Sequence, residues 1–140
     1  MSESCFQQVG QVAILNSALG LGGSLAGLSL RLFSNDRTPA RTDVIGDYNE
    51  MSGGGYAAVS LVAASFTVTP GDPSQALYAD FGEFDFTGTP SPDTCYGAFI
   101  TDANGILLCS ERFDNAPFTV EDGTLIKYKP RLLLGSLNPV

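Results

Sequence analysis

The chain has 140 residues, 44% of them apolar and only 16% charged, with sixteen glycines, eight prolines and a formal net charge of −8. A chain of this length holds one ordinary domain with a real core, and its apolar content excludes intrinsic disorder. The acidic balance excludes a nucleic-acid partner, since a phosphate backbone demands a basic surface.

Residues 4–30 carry no charge at all. Within them, Val9 to Leu21 is the only stretch with apolar residues at helical spacing, and Gly10 and Gly20 weaken it. The run 12–30 falls short of a membrane span because glycines, serines and Asn16 dilute it. The leader before it carries Glu3 and no base, unlike a signal peptide, so no membrane partner is expected. "GLGGSLAG", 20–27, is glycine-rich but lacks the spacing and the Lys-Ser/Thr tail of a phosphate cradle, and a close backbone contact is the simpler reading. Residues 1–27 are therefore set apart as an N-terminal arm or assembly segment, ahead of a domain spanning 28–140.

Beyond that segment strand patterns dominate. Leu28, Leu30 and Leu32 alternate with Ser29, Arg31 and Phe33; Ala57 to Thr69 is one long strand-compatible run ended by "PGDP"; Phe84 and Phe86 flank Asp85. Tyr96 to Thr101, Ile106 to Phe113 and Leu125 to Leu134 follow. Turn residues punctuate them in "TGTPSPD", "DANG", "DNAP" and "EDG". Roughly seven or eight short strands so separated predict an all-β fold, an antiparallel β-sandwich or jelly roll.

In "DANG" either Asn104 or Gly105 is expected in the left-handed conformation, joining two strands of a hairpin over 95–113. That hairpin is apolar at adjacent positions, Phe99 beside Ile100 and Ile106 beside Leu107 and Leu108, so both of its faces need cover. One segment, 34–56, has neither helical nor strand period and reads as a long irregular loop. Fully extended it spans on the order of 75 Å, far enough to lie across a neighbour as an arm.

The chain has no histidine and no tryptophan. Without His, the commonest general base, the Ser and Cys triads and most transition-metal sites are gone. Asp80, Glu83 and Asp85 in "DFGEFDF" are the best carboxylate set for glycoside cleavage. Glu83 and Asp85, however, alternate with Phe84 and Phe86 as on the wet face of an edge strand. "TDANG" and "EDG" lack the spaced ligand series of a calcium loop. Cys5, Cys95 and Cys109 contain no CxxC pair, which argues against zinc and for buried free thiols in a reducing cytoplasm; a disulfide between Cys95 and Cys109 across the hairpin is the alternative. No enzyme, metal or cofactor is expected.

From Asp43 through Glu111 there are ten acids and no base. Arg31, Arg37 and Arg41, in or beside the irregular segment, are then either solvated or docked on an acidic neighbour such as an identical subunit's flank. With Tyr48, Tyr56 and Phe81 they make up the candidate interface.

The succession "LSLRLFSNDRTPARTDVIGDYNE … GYAAVSL … YGAFITDANGILLCSERF … VEDGTLIKYKPRLLLG" resembles small virion proteins of tailed bacteriophages. Leu32, Phe33, Asn35, Asp36, Thr38 and Pro39 carry the likeness, then Gly55 and Tyr56, then Tyr96 and Gly97, where that pattern has Gly-Tyr in place of Tyr-Gly. It covers about residues 28–134. The resemblance implies a capsid decoration or cement protein, commonly a homotrimer seated between capsomers. Identical subunits and the major capsid protein would be its partners, in a virion assembled in the host cytoplasm. On that expectation a sister subunit or the shell closes the second face of the hairpin. The alternative is a receptor- or glycan-binding tail-fibre or adhesion module of similar fold, which Tyr48, Tyr56, Tyr78 and Phe81 would serve; a hydrolase on Asp80, Glu83 and Asp85 ranks last.

Overall fold

The computed structural model describes residues 3–21, 27–71 and 74–133. The alternation from Leu28 forms β2 (Ser29–Phe33), which pairs antiparallel with β8 (Gly97–Thr101) so that Leu30 lies opposite Ile100 and Leu32 opposite Ala98. β8 pairs in turn with β9 (Leu107–Arg112) through the "DANG" turn. There Gly105 takes the left-handed conformation, φ +76°. Asp102 Oδ1 accepts from the backbone N–H groups of Asn104 at 2.8 Å and Ile106 at 2.9 Å, which pins the hairpin register. β1 (Glu3–Phe6) adds along β9 and β3 (Val59–Ser60) along β2, giving a five-stranded antiparallel sheet in the order β1-β9-β8-β2-β3.

Residues 3–18 are thus part of the body, where the sequence suggested an arm. β1 finds its hydrogen-bond partners on the outer edge of β9, and α1 (Gln8–Ala18) then packs back on that strand. Gly10 makes the packing close: a Cβ there would stand 2.6 Å from Leu108 Cα. The glycine that weakens the helical pattern is the residue that lets the helix backbone touch the sheet. Residues 22–26 of the glycine-rich stretch lie outside the described residues.

Two long strand-like runs are broken. After β3 the chain leaves the first sheet, Leu61 enters the core with its N–H on Leu28 O at 2.9 Å, and a 3-10 turn at Ala63–Ser65 intervenes. β4 (Phe66–Thr69) then pairs with β5 (Gln75–Tyr78) in a different sheet. The run from Leu125 splits at Pro130, which has no N–H for a ladder. β11 (Leu125–Tyr128) pairs with β6 (Gly82–Asp85), and β12 (Arg131–Leu133) pairs with β5. Leu134 lies outside the described residues. β7 (Thr94–Cys95) and β10 (Phe118–Thr119) pair with each other. The described chain is mostly antiparallel β structure with one α-helix, as the all-β expectation required.

The smaller sheets cover one face of the five-stranded sheet. Phe6, Leu30, Leu32, Ala98, Ile100 and Leu108 meet Tyr78, Phe84, Cys95, Val120 and Ile126 in one buried cluster. On the opposite face, Phe33, Phe99 and Leu107 form a second cluster with Tyr48 of the irregular segment and Val9 of α1. The second face of the hairpin is therefore closed by the chain itself, which corrects the expectation of a sister subunit or shell at that place. Segment 34–56 does not reach outward as an extended arm; it folds back over β8 and β9.

Candidate functional site

A buried polar chain holds the irregular segment in place. Gln7, just after β1, donates through Nε2 to Ser110 Oγ at 2.7 Å; Ser110 Oγ and Tyr48 Oη are 2.8 Å apart; Tyr48 Oη donates to Asp43 Oδ2 at 2.7 Å. Each hydroxyl can donate to the next group, and the series ends on a carboxylate, which is acceptor only. Asp43 also accepts from the Ala40 N–H at 3.1 Å and from the Arg37 guanidinium on both oxygens. Burial pushes the Asp43 carboxyl up, but the hydrogen bonds from Arg37, Tyr48 and Ala40 outweigh it and hold it below its ordinary value. Burial, reinforced by that carboxylate, pushes the Tyr48 phenol up, so it remains a neutral donor. Gln7 Oε1 is the one buried side-chain polar atom among the described residues with no hydrogen-bond partner.

The residues singled out as a candidate interface mostly turn inward. Arg31 Nη1 donates to both Glu50 carboxylate oxygens at 3.0 Å and its Nε to Thr101 Oγ1 at 3.2 Å. Tyr56 Oη accepts from the Leu32 N–H at 3.1 Å and donates to Glu50 Oε2 at 2.7 Å, while its ring stacks on Phe84. Arg31 and Tyr56 therefore meet on Glu50, and Arg37 and Tyr48 meet on Asp43. The acidic partners of both bases lie in segment 34–56 of the same chain. Arg41 is exposed, and Phe81 is exposed with Lys129 Nζ 5.8 Å from its ring centroid.

Glu83 and Asp85 project from the solvent face of β6 while Phe84 between them is buried, and Glu83 pairs with Lys127 on β11 at 3.3 Å. Asp80 is exposed in the turn before them. Among the described residues, no group of three or more His, Cys, Asp or Glu is placed to hold a metal ion. No helix among them is long and apolar enough to cross a membrane. Cys95 and Cys109 are free and buried, opposite Phe118 and Ile100 and not opposite each other. Burial pushes the Cys95 thiol up to about 12, and burial with Glu111 nearby raises Cys109 as well, so neither supplies a thiolate nucleophile near neutral pH.

What the fold leaves open lies elsewhere. On the outer side of α1, Val12 and Leu15, with Leu19 capping the helix just past its end, continue one face at three- and four-residue spacing and are 55%, 60% and 70% exposed. Beside β9 and β11 an open groove is lined by Phe113, Phe118, Tyr128, Asp114, Asn115 and Thr124. In the sequence Asp114 and Asn115 stood out only as turn chemistry in "DNAP", and Phe113 and Tyr128 only as members of strand runs; the recurrence of Phe113 and Phe118 around that turn was the available sign. Comparison with protein-family models, with curated proteins and with solved structures finds no match to this chain.

Proposed function

We propose that this chain is a structural virion protein that binds and stabilises a phage capsid shell as a decoration or cement protein, and that it catalyses no reaction. The observation that carries this reading is the outer stripe of α1, Val12, Leu15 and Leu19, exposed on a helix seated firmly against the sheet within a stretch that carries no charge from residue 4 to residue 30. Exposed apolar stripes of this kind are removed from water by docking. At about 25 cal/mol per Å², a few hundred Å² of such contact contributes several kcal/mol before association costs, and repetition over symmetric sites adds avidity.

Because Phe99 and Leu107 are covered from within, the docking surface is the helix and not the hairpin. The partners assigned are identical subunits, as a homotrimer, and the major capsid protein. Free buried thiols support assembly in a reducing cytoplasm. The packing of the smaller sheets on the five-stranded sheet supports the β-sandwich form of this reading.

Sedimentation with shell particles assembled without this protein tests the reading. Wild-type chain is expected to co-sediment with them and raise their unfolding temperature. Leu15→Glu combined with Leu19→Glu, at exposed positions, is expected to change the chain's own stability by less than about 0.5 kcal/mol while abolishing co-sedimentation. Wild-type chain that never binds the particles, or a double variant that binds them equally well, contradicts it.

A further inference from the structure

The groove beside β9 and β11 has a volume of about 560 Å³, within the roughly 300–1,000 Å³ usual for small-ligand sites. One wall is aromatic. Phe113 and Phe118 stack with ring centroids 6.0 Å apart and planes at 19°, and Tyr128 meets Phe113 at 5.4 Å. The lining also carries polar groups: Asp114 and Asn115, both exposed, follow β9, and Thr124 and Lys127 come from the opposing strand region.

Charge and ring geometry narrow the ligand. The charges of the lining are already answered, Lys127 by Glu83 at 3.3 Å and Glu111 by Arg131 at 3.4 Å, so the groove offers no uncompensated cation to a phosphate, sulfate or carboxylate ligand. The Glu111 carboxylate at the inner end is already held by Tyr128 Oη at 2.6 Å and Arg131 Nε at 3.4 Å. A quaternary ammonium is bound by ring faces turned toward it from several sides. Here the nearly parallel Phe113 and Phe118 cover one another and form a wall, not a cage. A wall of rings beside carboxylate and amide groups fits a sugar. The C–H face of a pyranose lies on the negative face of an aromatic ring, and its hydroxyls exchange hydrogen bonds with an amide, of which Asn115 offers two acceptor sites and two donors.

We propose that the groove bounded by Phe113, Phe118, Tyr128, Asp114 and Asn115 binds a neutral oligosaccharide, a second binding activity separate from docking through α1. Being open, the groove accommodates part of a longer chain and does not enclose a monosaccharide.

Titration of isotope-labelled full-length protein with cello-, malto- and chito-oligosaccharides, followed by amide NMR, tests this. At least one of the three is expected to move the Asn115, Phe118, Thr124 and Leu125 amides with a Kd on the order of 1 mM or tighter. Asn115→Ala, at an exposed position, is expected to weaken that binding about tenfold. Phe118→Leu, which keeps apolar volume but removes the ring face, weakens it too, and the Leu15→Glu, Leu19→Glu double variant binds the sugar as wild type does. Absence of shifts with all three sugars overturns the proposal. So do shifts centred outside the groove, unchanged affinity in Asn115→Ala, or occupation of the groove by tetramethylammonium or a sulfated oligosaccharide in preference to a neutral sugar.

Discussion

Segment 34–56 has neither helical nor strand period, yet it places Asp43, Tyr48 and Met51 among the buried side chains, whereas Ala57–Thr69, the longest strand-like run in the chain, ends in a sheet edge where Val68 is 73% exposed. The first is held by groups that satisfy one another: a carboxylate, a guanidinium, a phenol, a serine and a glutamine. The second offers side chains suited to a strand and finds little to pack them against. A buried polar series in which each member hydrogen-bonds the next anchors an irregular backbone more firmly than strand propensity anchors an edge.

The largest effect is expected where the polar series ends. Asp43→Ala removes the acceptor shared by Arg37, the Tyr48 hydroxyl and the Ala40 N–H, while Arg37 stays partly exposed beside Asp47, and is expected to destabilise the chain by about 1–3 kcal/mol, read by urea unfolding. A loss below about 1 kcal/mol would mean that the segment is not held by Asp43.

Next in size is a pH effect at the same residue. The native Asp43 carboxyl lies below its ordinary value of 3.8, so the unfolded chain takes up the proton at higher pH than the folded one. The stabilisation is complete above the unfolded value and is lost as pH falls through the native value. Wild-type stability is expected to fall as pH drops below about 4, and Asp43→Asn is expected to flatten that part of the profile. An unchanged slope in the variant would assign the acid sensitivity to other carboxylates.

The smallest effects belong to the exposed counterparts. Arg31 and Glu50 form a partly exposed ion pair, 31% and 34% accessible at their side chains, so Arg31→Ala is expected to cost less than about 1 kcal/mol. Val68→Thr on the edge strand is expected to stay within about 0.5 kcal/mol. If either matched Asp43→Ala, the contrast between the two regions would collapse.

The parts of the fold that were legible are those set by near neighbours: the hairpin with Gly105 at its turn, the in-and-out alternation of Glu83, Phe84 and Asp85, and the strand from Leu28. What escaped is set at long range. Gln7 and Ser110 are 103 positions apart, and no periodicity reports that the two meet. The move of the chain from one sheet to another after Ser60 depends on the partner that Phe66 finds in Tyr78. Hydrophobic period tells which way a side chain points and not which element covers it, and so the apolar second face of the hairpin suggested a neighbour when its cover was Tyr48 and Val9. Of the candidate interface, Arg31, Arg37, Tyr48 and Tyr56 stand in the sequence beside an acidic body, and in the fold they meet Glu50 and Asp43 of the same chain.

Amide hydrogen exchange measured over a dilution series most directly tests whether each chain closes its own sheet. The Met51 N–H, bonded to Leu32 O at 2.9 Å, is expected to be protected to a degree comparable with the β8 amides and to stay so at the lowest concentration. Exchange of Met51 at the rate of an open loop would show that segment 34–56 does not lie on its own sheet, and protection that appears only where chains associate would show that another molecule holds it there.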